Sequence, residues 1–87
     1  MISGARMNIK VKFFAIVRDR ANCSGIDLAV PDDSRVENAI ELIGQKLPEI
    51  KEFLSRAAYA VNQSYVQRTT RLHEGDELAV IPPVSGG

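Results

Sequence analysis

A single helical stripe constrains this chain more than any other feature. Val36, Ala39, Ile40, Ile43 and Leu47 recur at three- and four-residue spacing, while Glu37, Asn38, Glu41, Gln45 and Lys46 take the other side. Ser34 followed three residues later by Glu37 has the pattern of a capping box, in which each side chain satisfies a backbone N–H left open at the helix start, and Pro48 ends the run. One apolar stripe needs one apolar surface to lie on, and the simplest is a sheet.

The remaining apolar segments supply that sheet. In "NIKVKFFAIV" the residues Ile9, Val11, Phe13 and Ala15 share one face and Lys10, Lys12, Phe14 and Ile16 the other, which predicts a strand through the whole segment, with the fold opening near Asn8. The polar loop "RDRANCSG" leads to "IDLAV", where Ile26, Leu28 and Val30 alternate with Asp27 and Ala29 as an antiparallel hairpin partner. "EIKEFLSRA" predicts a short second helix through Ile50, Phe53 and Leu54. "AYAVN", a short segment near "SYV", and "DELAVIP" read as later strands, with a turn at "EGDE" from Glu74 to Glu77. The class is α+β. A strand–helix–strand crossover, taken together with the resemblance given below, suggests that the first and last strands run parallel at the centre of the sheet.

At 87 residues there is room for one core, burying roughly 60 to 65% of the surface of the unfolded chain. Eleven basic residues balance eleven acidic ones with no basic block, which argues against nucleic acid as a partner. Cys23 is the single cysteine, so no internal disulfide forms, and no apolar run approaches the ~20 residues of a membrane-spanning helix. "MISGAR" lacks the apolar stretch of an exported chain, and Met7 stands directly before the first strand-like segment. Residues 1–6 therefore read as an unstructured extension, 7–81 as one domain and 82–87 as a tail, in a soluble, cytoplasmic protein.

The tail, "IPPVSGG", is uncharged in a chain of which a quarter is charged. Pro82 and Pro83 cannot donate to a ladder and hold the chain extended. Val84, Ser85, Gly86 and Gly87 reach at most ~13 to 14 Å, and the two glycines fit a channel too narrow for any side chain. Such a tail offers its terminal carboxylate, ionised at neutral pH and able to attack the α-phosphate of a nucleotide held by another enzyme. A chance ending on an inert tail is the bland alternative.

Other candidates for chemistry are weaker. Cys23 has no His or second Cys nearby in sequence and reads as a bystander thiol. His73 has no ligand spacing around it, and no metal is expected. Asp32 and Asp33 read as charges at the helix start, favoured by the positive end of the helix dipole.

From Met7 onward the chain resembles the family of small, sulfur-carrying subunits of molybdopterin synthase, through "VKFFAIVRD", "AVNQSYV" and "LHEGDELAVIPPVSGG". Residues 1–6 lie outside the pattern, and Ile81 stands where some relatives have an aromatic. The related carrier for thiamin thiazole also ends in Gly-Gly, but the paired prolines and Val-Ser fit the molybdopterin carrier better. The resemblance implies a ubiquitin-like β-grasp fold and a reaction cycle. An adenylating enzyme like those of ubiquitin pathways activates the Gly87 carboxylate with ATP, a sulfur donor converts it to a thiocarboxylate, and the tail delivers sulfur to cyclic pyranopterin monophosphate on the large synthase subunit. That subunit supplies the catalytic groups in an expected heterotetramer, and no tightly bound cofactor is implied for this chain. A ubiquitin-like modifier attached to lysines through Gly87, and a binding module with an inert tail, are the competing classes.

The alternation also predicts a docking surface. Leu78 and Val80 point inward, so Ile81 and Ala79 fall on the outer face with Phe14 and Ile16, and if the two strands are central neighbours Phe14 would join Ile81 at the root of the tail with Tyr65 alongside. A bulge or covering loop that buries them is the competing arrangement.

Overall fold

The computed structural model describes residues 5–83. Strand β1, Arg6–Phe13, buries Met7, Ile9, Val11 and Phe13 and exposes the residues between them. It begins at Arg6, inside the segment expected to be an extension: Arg6 pairs with Pro31, and Ala5 accepts the Asp32 N–H at 3.2 Å. Strand β2, Gly25–Pro31, is its antiparallel partner, with Lys12 opposite Gly25.

The strand does not run through Val17. It stops at Phe13, and Ala15–Ala21 form a two-turn helix, α1, that buries Val17 and Ala21 and leaves Ala15 exposed. The turn between them is made by Ala15, whose φ of 51° lies in the left-handed region. Helix α2, Val36–Lys46, is the predicted stripe, with Val36, Ala39 and Ile43 buried against the sheet. A 3₁₀ turn at Pro48–Ile50 leads to the short α3, Lys51–Leu54, and then to β3, Ala58–Val61, β4, Ser64–Val66, and β5, Glu77–Ile81.

The predicted capping box does not form. Arg35, not Ser34, is the N-cap residue of α2. The Ser34 hydroxyl turns back to donate to the Pro31 carbonyl at 2.6 Å, and the Arg35 N–H is taken by Asn38 Oδ1 at 2.8 Å. The open donors of the first turn find partners in a distant loop: Val36 N–H donates to the Thr70 carbonyl and Glu37 N–H to the Arg68 carbonyl, each at 2.9 Å. Nor does Asp33 act at the helix start alone, because its carboxylate pairs with Arg71 at 3.1 Å. Backbone carbonyls and Arg71 hold this end of α2 to the loop.

The sheet order is β2-β1-β5-β3-β4, with β1 and β5 parallel at the centre and the other pairs antiparallel. Phe13, Ile9, Ile43, Ile50, Leu72, Leu78 and Val80 are each almost fully enclosed between the sheet and the helices. Burying side chains of this size contributes about 1.5 to 3 kcal/mol apiece before the entropy of ordering them is counted.

Candidate functional site

The site is built on the end of β5. This strand is central, paired with β1 on one side and β3 on the other, and Leu78 and Val80 anchor its inner face in the core. Its start is held by buried Asp76, whose carboxylate accepts from the His73 N–H at 2.8 Å and from Asn62 Nδ2 at 3.0 Å, while its carbonyl accepts the Lys10 N–H at 2.9 Å. Nothing in the sequence pattern marks Asp76 as buried; it reads there as one more turn charge. The ladder with β1 ends at Phe13 opposite Val80, and the ladder with β3 ends at Ala58 opposite Ile81. Pro82 then follows, half-buried, and Pro83 is exposed. Neither has an N–H to extend the pairing. Val84, Ser85, Gly86 and Gly87, which the sequence singles out, lie outside the described residues.

The outer face beside this exit divides in two. On one half Lys12 pairs with Glu77 at 3.0 Å and Lys10 with Asp27 at 3.7 Å. On the other, the strand register lines up Tyr65, Ala60 and Ala79 across three strands, with Ala58 and Ile81 in the next outward row. Alanines leave a shallow apolar floor, over which Tyr65 stands 74% exposed. Alternation alone marks only Ala79 as outward, and Ala58 and Ala60 join it once the register places the strands side by side.

Phe14 and Ile16 are not the outward strand residues that the alternation predicts. Phe14 is the N-cap residue of α1, one position beyond the paired end of β1, and Ile16 lies in the first turn of that helix. Both are exposed, and with Tyr65 they are the exposed large hydrophobic residues among those described. Phe14 and Ile81 thus stand at the same end of adjacent strands, each one residue past the last β1–β5 pair. Ile81 is half-buried. Among the described residues no loop covers Phe14 or Tyr65.

The remaining candidates are not drawn in. Cys23 is half-buried behind α1 and His73 is exposed at its turn. Among the described residues no three His, Cys, Asp or Glu side chains gather as metal ligands, and no helix is long and apolar enough to cross a membrane.

A five-stranded mixed sheet with one main helix across it, whose central strand runs into Pro82 and Pro83, defines a ubiquitin-like β-grasp fold. It superposes on the crystal structure of the small archaeal modifier protein SAMP1 from Haloferax volcanii with a TM-score of 0.83, at 24% identity over 92% of this chain and 99% of that one. The subunit 1 and 2 complex of the molybdopterin-converting factor from Helicobacter pylori matches with a TM-score of 0.65 at 26% identity, over 93% of this chain and 100% of the matched one. In sequence, the molybdopterin synthase sulfur carrier subunit of Chlamydomonas reinhardtii is 35% identical over 83 residues, covering 93% of this chain and all of that protein. The ThiS family model matches residues 11–87, and the chain belongs to the ThiS family.

Proposed function

We propose that this protein is the sulfur-carrier subunit of a molybdopterin synthase. The observation that carries the proposal is the exit of the tail: a central strand locked into the core ends at Ile81 and runs directly into Pro82 and Pro83, at the same end of the sheet as exposed Phe14. The family match extends across the Gly86–Gly87 pair, and curated relatives carry this function in their names.

In this scheme the Gly87 carboxylate attacks the α-phosphate of ATP on a ubiquitin-activating-type enzyme and displaces pyrophosphate. A sulfur donor then displaces AMP, leaving a thiocarboxylate, whose sulfur passes to cyclic pyranopterin monophosphate on the large subunit. ATP belongs to the activating enzyme, the chain itself needs no tightly held cofactor, and the cycle runs in the cytoplasm. Phe14, Tyr65 and Ile81 form the docking surface, and 82–87 is the inserted tail. The domain carries the reactive group and the partner supplies the catalytic ones.

The test is mass spectrometry of the intact chain after incubation with its activating enzyme, ATP and a sulfur source. An oxygen-to-sulfur exchange confined to Gly87 is the expected result. An unchanged mass where a known carrier is converted would sink the proposal, and lysine conjugates formed through Gly87 would favour a protein modifier in its place.

A further inference from the structure

Ala15 holds a left-handed backbone conformation, φ 51°, that L-residues avoid, and it does so at an exposed position. Its two neighbours explain the location. On the N-terminal side Phe14 is extended, with φ −131° and ψ 153°, and the preceding Phe13 N–H is tied to the Ser24 carbonyl at 2.9 Å. On the C-terminal side the Phe14 carbonyl accepts from Val17 N–H at 3.1 Å and from Arg18 N–H at 3.3 Å, which starts α1. That helix is in turn held by buried Val17 and Ala21, and by Arg20, which lies over the Phe53 ring at 5.5 Å and pairs with Glu52 at 3.8 Å. Strand and helix are thus both fixed, and Ala15 is the joint between them.

We infer that Ala15 is a positioning residue for partner docking: its left-handed turn, two residues past Phe13 where both β1 and its ladder with β5 end, holds Phe14 exposed at the root of the tail before any partner arrives. The inference rests on the docking surface proposed above and adds to it the element that preorganises it. A glycine would relieve the strain, but it would also admit other φ values and let Phe14 move, so that order would have to be restored on binding. Stability and affinity are therefore expected to respond in opposite directions, which a merely structural residue would not show.

The experiment is a double-mutant cycle with Ala15→Gly and Phe14→Ala, in the full-length chain, measuring thermal melting and affinity for the large synthase subunit from the same genome. Ala15→Gly is expected to melt at or above the parent temperature yet to bind about two- to fivefold more weakly, the range set by the backbone freedom that glycine adds. In the Phe14→Ala background the same change is expected to leave affinity unaltered, because there is no ring left to position. Parental affinity for Ala15→Gly, an equal loss in both backgrounds, or a lowered melting temperature would each overturn the inference while leaving the docking surface standing. Parental affinity for Phe14→Ala alone would instead overturn the docking surface, and the role of Ala15 with it.

Discussion

The Tyr59 hydroxyl donates to the Leu54 carbonyl at 2.7 Å, closing α3 onto the sheet from beneath. Tyr59 is buried in β3, and the guanidinium of Arg68 lies 5.2 Å from its ring centre while also reaching the Leu54 carbonyl at 3.2 Å. Tyr59→Phe keeps the ring and removes the donor, leaving Leu54 with the longer of its two bonds. A loss of about 1 kcal/mol is expected, read as a melting temperature lower by roughly 4 to 8 °C for a domain of this size. No change in melting would mean that water replaces the hydroxyl at no cost.

The same side chain sets an alkaline limit. Burial raises the Tyr59 pKa from 10.0 to about 12, partly opposed by the positive charge of Arg68. The folded state holds the proton more tightly than the unfolded chain, so this contribution is complete below pH 10 and is lost as the pH climbs from about 10 towards 12. Denaturation midpoints measured across that window should fall for the parent and fall less steeply for Tyr59→Phe. Parallel curves would show that Tyr59 does not titrate with unfolding.

Two glycines should respond oppositely to alanine. At Gly25, opposite Lys12 in the β1–β2 ladder, an added Cβ would lie 2.5 Å from the Val11 carbonyl oxygen, a backbone atom that cannot step aside without loosening the pair. Gly25→Ala is expected to destabilise by about 1 to 3 kcal/mol, the usual range for forced overpacking. At Gly44 on α2 the new methyl would meet the Leu54 and Lys51 side chains at 3.5 Å, ordinary contact, so Gly44→Ala should stabilise by about 1 kcal/mol through helix propensity. Urea midpoints for both variants test the pair, and a shared direction would contradict the packing described for one of them.

These contrasts mark where the sequence was readable and where it was not. The stripe of α2 and the inward set of β5 follow from period, because each buries several residues on one face, whereas the parallel β1–β5 pair rests on the crossover together with the family resemblance. Helix α1 was hidden because it buries two residues only, and because Phe14, Ala15 and Ile16 prolong the alternation of β1 by composition while Ala15 breaks it by conformation. The start of α2 was misread for a different reason. Ser34 and Glu37 have the capping spacing, yet the donors of that turn are satisfied by carbonyls of Arg68 and Thr70, more than thirty residues away in sequence. Local spacing carries no trace of such partners. On the outer face, alternation places Ile81 and Ala79 outward, but it puts Phe14 in a strand that has already ended, and the row that sets Ala60 and Tyr65 beside Ala79 requires the register.

Among the described residues, every buried apolar residue lies between Met7 and Val80, seven positions before Gly87. Deleting Gly86 and Gly87 should therefore abolish conversion to a thiocarboxylate while leaving the melting temperature within about 1 °C, less than the change expected for 0.5 kcal/mol in a domain this small. A larger fall would mean that the tail packs on its own domain.

Docking can be separated from folding on the outer face. Truncating a well-enclosed interface anchor costs about 2 kcal/mol or more in binding, close to thirtyfold in Kd. Tyr65 and Ile81 lie on the apolar half, Tyr65 with little of its surface committed to the fold and Ile81 half-buried. Tyr65→Ala should consequently weaken the large-subunit complex with almost no change in melting, whereas Ile81→Ala should weaken it and also lower the melting temperature by a few degrees, through the lost contact area beside Ala58. Asp27→Ala, on the charged half at the sheet edge, removes an exposed pair with Lys10 and is expected to change neither quantity measurably. Titration calorimetry with the large subunit, paired with a melt of each isolated variant, distinguishes the outcomes. If Asp27→Ala weakens binding and Tyr65→Ala does not, the partner sits on the charged half, and the apolar half is not the surface beside which the tail is delivered.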